Sequence, residues 1–214
     1  TAPTVGRAAL ASLPGARHNA RMAKKGLRGV TLIELLTVVA IIALLSSLAG
    51  PAFIGILKSS RISNAVNTFL ADLSFTRSEA VRRSSSVVMC RSDAPEAASP
   101  VCNTGAGASG NGWVSGWLIF EDRDNGGTYN TGDQLLRVQS PITTVNSIVE
   151  AGSSPSYKFR YYATGRFRSV SNATSIQVGA ADDFDSSQQR VLCVASSGRG
   201  RVAGNGTASC ATDG

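Results

Sequence analysis

The chain has 214 residues and a formal net charge of +7, but six of its 21 basic residues precede Val30 and no acid does. From Val30 onward 15 basic residues face 14 acidic ones, so global charge is no argument for a nucleic-acid partner, and any such case rests on local clusters. The single histidine, His18, lies in the early basic segment and no G-x-x-x-x-G-K-[ST] loop occurs, which excludes Ser-His or Cys-His nucleophiles, His-containing zinc sites and a motor ATPase; no enzyme, cofactor, catalytic residue or metal is expected.

Residues 1–21 are rich in Ala and Arg and carry no helical or strand periodicity, whereas Met22 would open an eight-residue leader ending at Gly29. Residues 1–29 are therefore read as a leader, with 1–21 a candidate over-extension of the reading frame, and are set aside from the fold. From Leu35 to Leu57 there are 23 residues without a charge. A helix of about 20 apolar residues crosses a hydrocarbon core, so a transmembrane helix is expected over residues 30–57. The basic residues Arg7, Arg17, Arg21, Lys24, Lys25 and Arg28 all precede it, which keeps that end cytoplasmic and turns everything after Leu57 outward. Ser47-Leu48-Ala49 offers a rival reading as a signal-peptidase site, but such apolar cores run only about 7–15 residues and carry no acid. Glu34 stands one turn inside the segment, where an ionisable group is costly without a partner.

The run G-V-T-L-I-E-L-L-T-V-V-A-I-I-A-L-L from Gly29 to Leu45 resembles the class III leader and amino-terminal helix of type IV pilins and type II secretion pseudopilins. The resemblance implies that a prepilin peptidase cuts after Gly29 and N-methylates Val30. It also implies that Glu34 serves assembly by pairing with the free amino terminus of a neighbouring subunit, where an ammonium makes a buried carboxylate tolerable. Pro51 matches the helix-kinking proline of many pilins. The fold class implied is α+β, the type IV pilin fold: a long N-terminal helix, half membrane-spanning and half amphipathic, packed on an antiparallel β-sheet head. The implied partners are prepilin peptidase, the major pilin, other minor pilins and inner-membrane lipid before assembly. The implied location is a single pass through the inner membrane with a periplasmic head, extracellular once assembled.

Residues 58–214 form the head. Between Lys58 and Arg83, Ile62, Val66, Phe69, Leu70, Leu73, Ala80 and Val81 recur at three- and four-residue spacing, predicting an amphipathic helix. Joined to the membrane segment it makes a helix some 54 residues and about 80 Å long. Ser86–Arg91 reads as a first strand, and Ser92–Gly112, with two prolines and four glycines, as a surface loop. Trp117–Glu121 and Gln134–Val138 read as strands joined by a turn at Asp124-Asn125-Gly126-Gly127. The stretch from Gly116 to Gly127 resembles the G-W-x-x-F-x-D-x-(N)-x-G core of the FimT/GspH branch of minor pilins and pseudopilins. Asp122–Asp133 also approaches a calcium-loop pattern. Gly126 stands where Asp or Asn is wanted and Asp133 where a bidentate Glu belongs, so a turn is the preferred reading.

Cys90, Cys102, Cys193 and Cys210 all lie on the outward side, where an even count points to disulfides. Of three available pairings, Cys90 with Cys102 and Cys193 with Cys210 are favoured because each closes a short loop rich in small residues. Tyr157–Tyr162 alternates strictly, and after a turn at Ala163-Thr164-Gly165 a returning strand carries Arg166 and Arg168 about Phe167. Lys158, Arg160, Arg166 and Arg168 therefore crowd one hairpin, either as a solvated strand face or as part of a binding footprint. Arg190–Ala195 reads as a final core strand.

After it, Gly198-Arg199-Gly200-Arg201 is similar, position for position, to the C-terminal G-R-x-R element with which FimT proteins contact DNA. In an extended chain Arg199 and Arg201 project to one side about 7 Å apart, and guanidinium groups grip phosphate oxygens bidentately. Gly198 and Gly200 would let the backbone approach closely. The resemblance implies a FimT-like minor pilin that binds the DNA phosphate backbone without sequence preference, for uptake in natural transformation. The alternative is a GspH-like pseudopilin or minor pilin that acts only in pilus or pseudopilus assembly.

Overall fold

The computed structural model describes residues 29–151, 157–169, 175–180, 184–206 and 210, without the side chains of 48–52, 168 and 169. Residues 1–28, with His18 and Met22, and the side chains of Pro51 and Arg168 lie outside the described residues, so the expected leader is not described. The chain forms two compact units, residues 1–46 and 47–214.

Helix α1 spans Leu32–Arg83. Its start is set by a Thr-x-x-Glu capping box: the Glu34 N–H donates to Thr31 Oγ1 at 3.3 Å and the Thr31 N–H to Glu34 Oε2 at 3.5 Å. These bonds occupy donors that a first helical turn leaves without partners. In the first unit Leu35, Leu36, Val38, Val39, Ile41, Ile42 and Leu44 are all exposed. Among the described residues no helix is long and apolar enough to cross a membrane; the side chains of residues 48–52, within the uncharged run, are not among them.

In the second unit α1 ends where Ser84 takes φ 51. Ser84 N–H then donates to Val81 O and Ser85 N–H to Ala80 O, each at 3.2 Å, the paired bonds of a Schellman stop with serine in the usual glycine position. Among the described residues nine strands follow: β1 Val87–Arg91, β2 Trp117–Glu121, β3 Gln134–Gln139, β4 Ile148–Glu150, β5 Lys158–Tyr161, β6 Phe167–Ser169, β7 Ser175–Val178, β8 Arg190–Val194 and β9 Gly200–Gly204. They form two antiparallel sheets, one in the order β3-β2-β1-β5-β6 and one in the order β4-β7-β8-β9. This long helix on antiparallel sheets is the α+β architecture expected. Two differences concern the tail. Arg190–Val194 is not the last strand, because Gly200–Gly204 turns back to pair with it. Strands β4 and β7, three and four residues long, are too short to announce themselves by periodicity.

The core lies where α1 meets the sheets. Ile62, Val66, Phe69, Leu73 and Ala80 are buried, Leu70 packs against them, and Val81 instead remains half exposed. Phe69 sets its edge against Trp113 and Trp117, each 5.3 Å between ring centroids, and against Phe159 at 6.0 Å, the edge-to-face arrangement aromatic quadrupoles favour. Asp72 ties helix to sheet. Its Oδ2 accepts the Trp117 indole N–H at 2.8 Å and its Oδ1 an Arg137 N–H at 2.5 Å. The other face of β1 and β2 is closed by Val88, Cys90, Leu118 and Phe120 under Cys102 and Tyr129. Both faces of these central strands are thus buried, which explains their nearly unbroken apolar sequence. Disulfides join Cys90 to Cys102 and Cys193 to Cys210.

Candidate nucleic-acid interface

The hairpin between β8 and β9 turns within Ala195–Arg199: the Gly198 N–H donates to Ala195 O at 2.8 Å and the Ala195 N–H to Arg199 O at 2.9 Å. Gly198 adopts φ +82, where a side chain is strained, and a Cβ there would collide with Gly165 O and crowd the Tyr161 ring and Arg77. At Gly200 a Cβ would meet Leu70 Cδ2 at 2.9 Å, a contact the leucine side chain would have to yield. Packing and backbone conformation therefore require glycine at 198, whereas at 200 a movement of the Leu70 side chain would make room.

Two turns from distant parts of the chain meet here. The Phe167 N–H donates to Ser196 O at 3.3 Å, and Arg77 Nε donates to Gly165 O at 3.0 Å. Gly165 and Gly198 thus stack against the last turns of α1. Between them Ser74, Arg77, Ser78, Val81, Arg82, Gly198, Arg199 and Gly200 line a groove of about 500 Å3. Arg199 and Arg201 are exposed, as is Arg166 beside the neighbouring turn. Arg201 is the register partner of Cys193, whose disulfide to Cys210 anchors the tail, with 5.6 Å between the two Cα atoms. Arg82 is engaged by Glu79 in two hydrogen bonds, at 3.0 and 2.5 Å, and Arg83 also bonds Glu79 at 2.8 Å. These guanidinium groups, Arg82 first, hold the Glu79 carboxyl down to about 2.

The other hairpin cations lie differently. In register, Arg160 pairs with Val88 and Lys158 with Cys90, so both belong to the face of the first sheet turned away from α1. Arg160 is held by Asp122 Oδ2 at 2.6 Å and donates to Asn125 O at 3.2 Å. Burial, and then the charge of Arg160, hold the Lys158 ammonium below its ordinary range. Arg168 is the register partner of Arg160. The structure thus brings Arg199, Arg77 and Arg82 to one groove and places Lys158 and Arg160 elsewhere. Arg77 and Arg82 have no signal in the sequence beyond their place on a helix. Their relation to the tail comes from the packing of the β8–β9 turn directly against α1. Among the described residues, Asp122, Asp124 and Asp133 alone bring ligand atoms close enough to share a metal ion.

At the other end of the chain, Gly29 and Val30 are exposed and precede the capped start of α1. Glu34 is exposed, and its carboxylate turns back to the Thr31 N–H. The Thr31-Leu32-Ile33-Glu34 pattern is a capping signature that the sequence reading did not use.

Comparison with known proteins gives two family matches. The family of the type II transport protein GspH matches residues 65–198, and the prokaryotic N-terminal methylation motif matches residues 24–50. The GspH match stops at Gly198, so it does not extend to Arg199 and Arg201. No curated protein matches the chain. The crystal structure of the type IV minor pilin FimU of Pseudomonas aeruginosa strain PAO1 is similar with a TM-score of 0.48 at 16% identity, over 70% of this chain and 93% of that one. With more than half of its length matched and the methylation motif ahead of it, the chain belongs to the family of the type II transport protein GspH.

Proposed function

We propose that this minor pilin binds the DNA phosphate backbone through Arg199 and Arg201 and serves DNA uptake in natural transformation. The observation that carries the reading is the exposed arginine turn, fixed by Gly198 against Gly165 and by the Cys193–Cys210 bond. A rigid cationic turn loses little conformational freedom on binding, and its guanidinium groups fit phosphate geometry. Contacts of this kind position a duplex without reading bases. Arg166, exposed at the adjoining turn, extends the footprint. Lys158 and Arg160, on the opposite face of the first sheet, do not.

Before assembly the protein is held in the inner membrane by residues 30–57, with the head in the periplasm, and it becomes extracellular in the fibre. Prepilin peptidase cuts between Gly29 and Val30 and methylates Val30. Glu34 then exchanges its contact with the Thr31 N–H for the ammonium of a neighbouring pilin, a stronger charge-assisted partner. Mass spectrometry of the mature protein tests this; a terminus other than methylated Val30 refutes it.

Among the described residues every buried apolar side chain of the core lies at Ile62 or beyond, so the head of residues 59–214 contains that core and suits a gel-shift or anisotropy assay. Expected is retardation of DNA independent of sequence, with the slope of log K against log salt falling by about 0.9 for each of Arg199→Ala and Arg201→Ala. Absence of retardation, or affinity unchanged in the double variant, refutes DNA binding. It would favour the second reading, a GspH-type subunit acting only in assembly, which rests on the family match over residues 65–198.

A further inference from the structure

The connection between β2 and β3 concentrates negative charge in a way that its internal bonds do not fully answer. One oxygen from each of Asp122, Asp124 and Asp133 lies within 4.8 Å of the others. The Asp122 side chain is completely buried, yet its Oδ1 has no hydrogen-bond partner. A buried carboxylate oxygen left in that state is costly unless a donor or cation fills the gap. Its Oδ2 accepts from Arg160 at 2.6 Å and from the Gly127 N–H at 3.2 Å. With Arg123 inside the loop and Arg160 against Asp122, the three carboxylates leave one net negative charge.

The remaining oxygens are oriented by the loop itself. Asp124 accepts the Gly126 N–H at 2.7 Å and Asn130 Nδ2 at 2.9 Å. Asp133 accepts the Arg123 N–H at 2.9 Å and the Asn130 N–H at 3.0 Å. Each of these single bonds leaves an oxygen with a further lone pair. The three acids fall at the first, third and twelfth places of a twelve-residue loop, the spacing at which carboxylates surround calcium. Gly127 occupies the sixth place with φ +71, where such a loop requires its sharp turn. Thr128 follows at the seventh, the place that ligates through its carbonyl.

We infer that Asp122–Asp133 is a binding site for a hard divalent cation of calcium's size, ligated by Asp122, Asp124 and Asp133 with water completing the shell. Gly126 supplies no side-chain oxygen and Asp133 is shorter than the usual glutamate, so the site is weaker than a full calcium loop. Its affinity falls in the class of extracellular modules, with Kd about 10⁻⁴ to 10⁻³ M. Because Asp122 also holds Arg160 of β5, the bound ion ties the β2–β3 connection to an inner strand of the first sheet, away from the arginine turn.

Calcium titrated into the head of residues 59–214 by calorimetry, followed by amide NMR, tests the site. One ion per head is expected in that affinity range, with shifts centred on residues 122–133. Asp124→Asn and Asp133→Asn, neither a buried position, are each expected to weaken binding by roughly tenfold with an unchanged circular dichroism spectrum. Magnesium, which demands a tighter octahedral shell, is expected to bind roughly tenfold more weakly. Absence of saturable binding up to about 10 mM calcium overturns the site. Binding that survives both substitutions overturns the ligand assignment, and equal affinity for magnesium overturns the assignment to calcium.

Discussion

Replacing Asp72 with Ala is expected to destabilise the head by about 2–4 kcal/mol, most of it through a group that is not itself changed. Asp72 is 3% exposed and Trp117 fully buried, and the indole N–H donates only to Asp72 Oδ2 at 2.8 Å. Without the carboxylate that donor stays in the core unpaired, a penalty of about 1–3 kcal/mol. Arg137 loses its 2.5 Å partner but keeps 44% of its side chain in solvent and its stacking on the Phe75 ring at 3.9 Å. Its share is therefore only about 1 kcal/mol, as for other solvent-accessible pairs. Asp72→Asn preserves an acceptor for Trp117 while removing the charge, so it is expected to cost about 1 kcal/mol. Urea unfolding of residues 59–214, followed by tryptophan fluorescence, measures both. The reasoning is refuted if the Ala variant loses less than about 1 kcal/mol, or if Asn is as damaging as Ala.

Gly198→Ala forces a side chain into a left-handed backbone and into Gly165 O. It is expected to cost at least about 2 kcal/mol in thermal or urea unfolding, and to weaken DNA binding although no cation is removed. Glu79, held down to about 2 by Arg82 and Arg83, has a folded value below its ordinary 4.5. Its contribution is complete above that ordinary value and is lost as pH falls through about 2. The acid-labile stability is at most about 3 kcal/mol and nearer 1 once the solvent around Arg82 is counted; urea midpoints against pH for the protein and Glu79→Gln should converge at the acid end. Cys193→Ser with Cys210→Ser opens a loop whose ends are 17 residues apart, for an expected loss of about 3 kcal/mol in equilibrium unfolding.

Local chemistry in the sequence determined most of the elements. The three- and four-residue spacing of Ile62, Val66, Phe69 and Leu73 placed the helix face, and the β-branched and aromatic runs placed β1, β2, β5 and β6. The small-residue loops between cysteines pointed to the two disulfides found. These features depend on residues a few positions apart, whose periodicity and loop-closure cost are written in the chain. Contacts between distant segments are not. Gly200–Gly204 is a strand only because β8 offers it an edge, and Val81 faces a groove only because two turns, at Gly165 and Gly198, converge beside it. Asp122 takes Arg160 out of the row of hairpin cations across 38 residues of sequence, while Asp72 and Trp117 meet across 45. Periodicity assigns a residue to a face of its own helix or strand. Which residue lies opposite it is set by sheet register and helix packing, and these took shape only in the folded head.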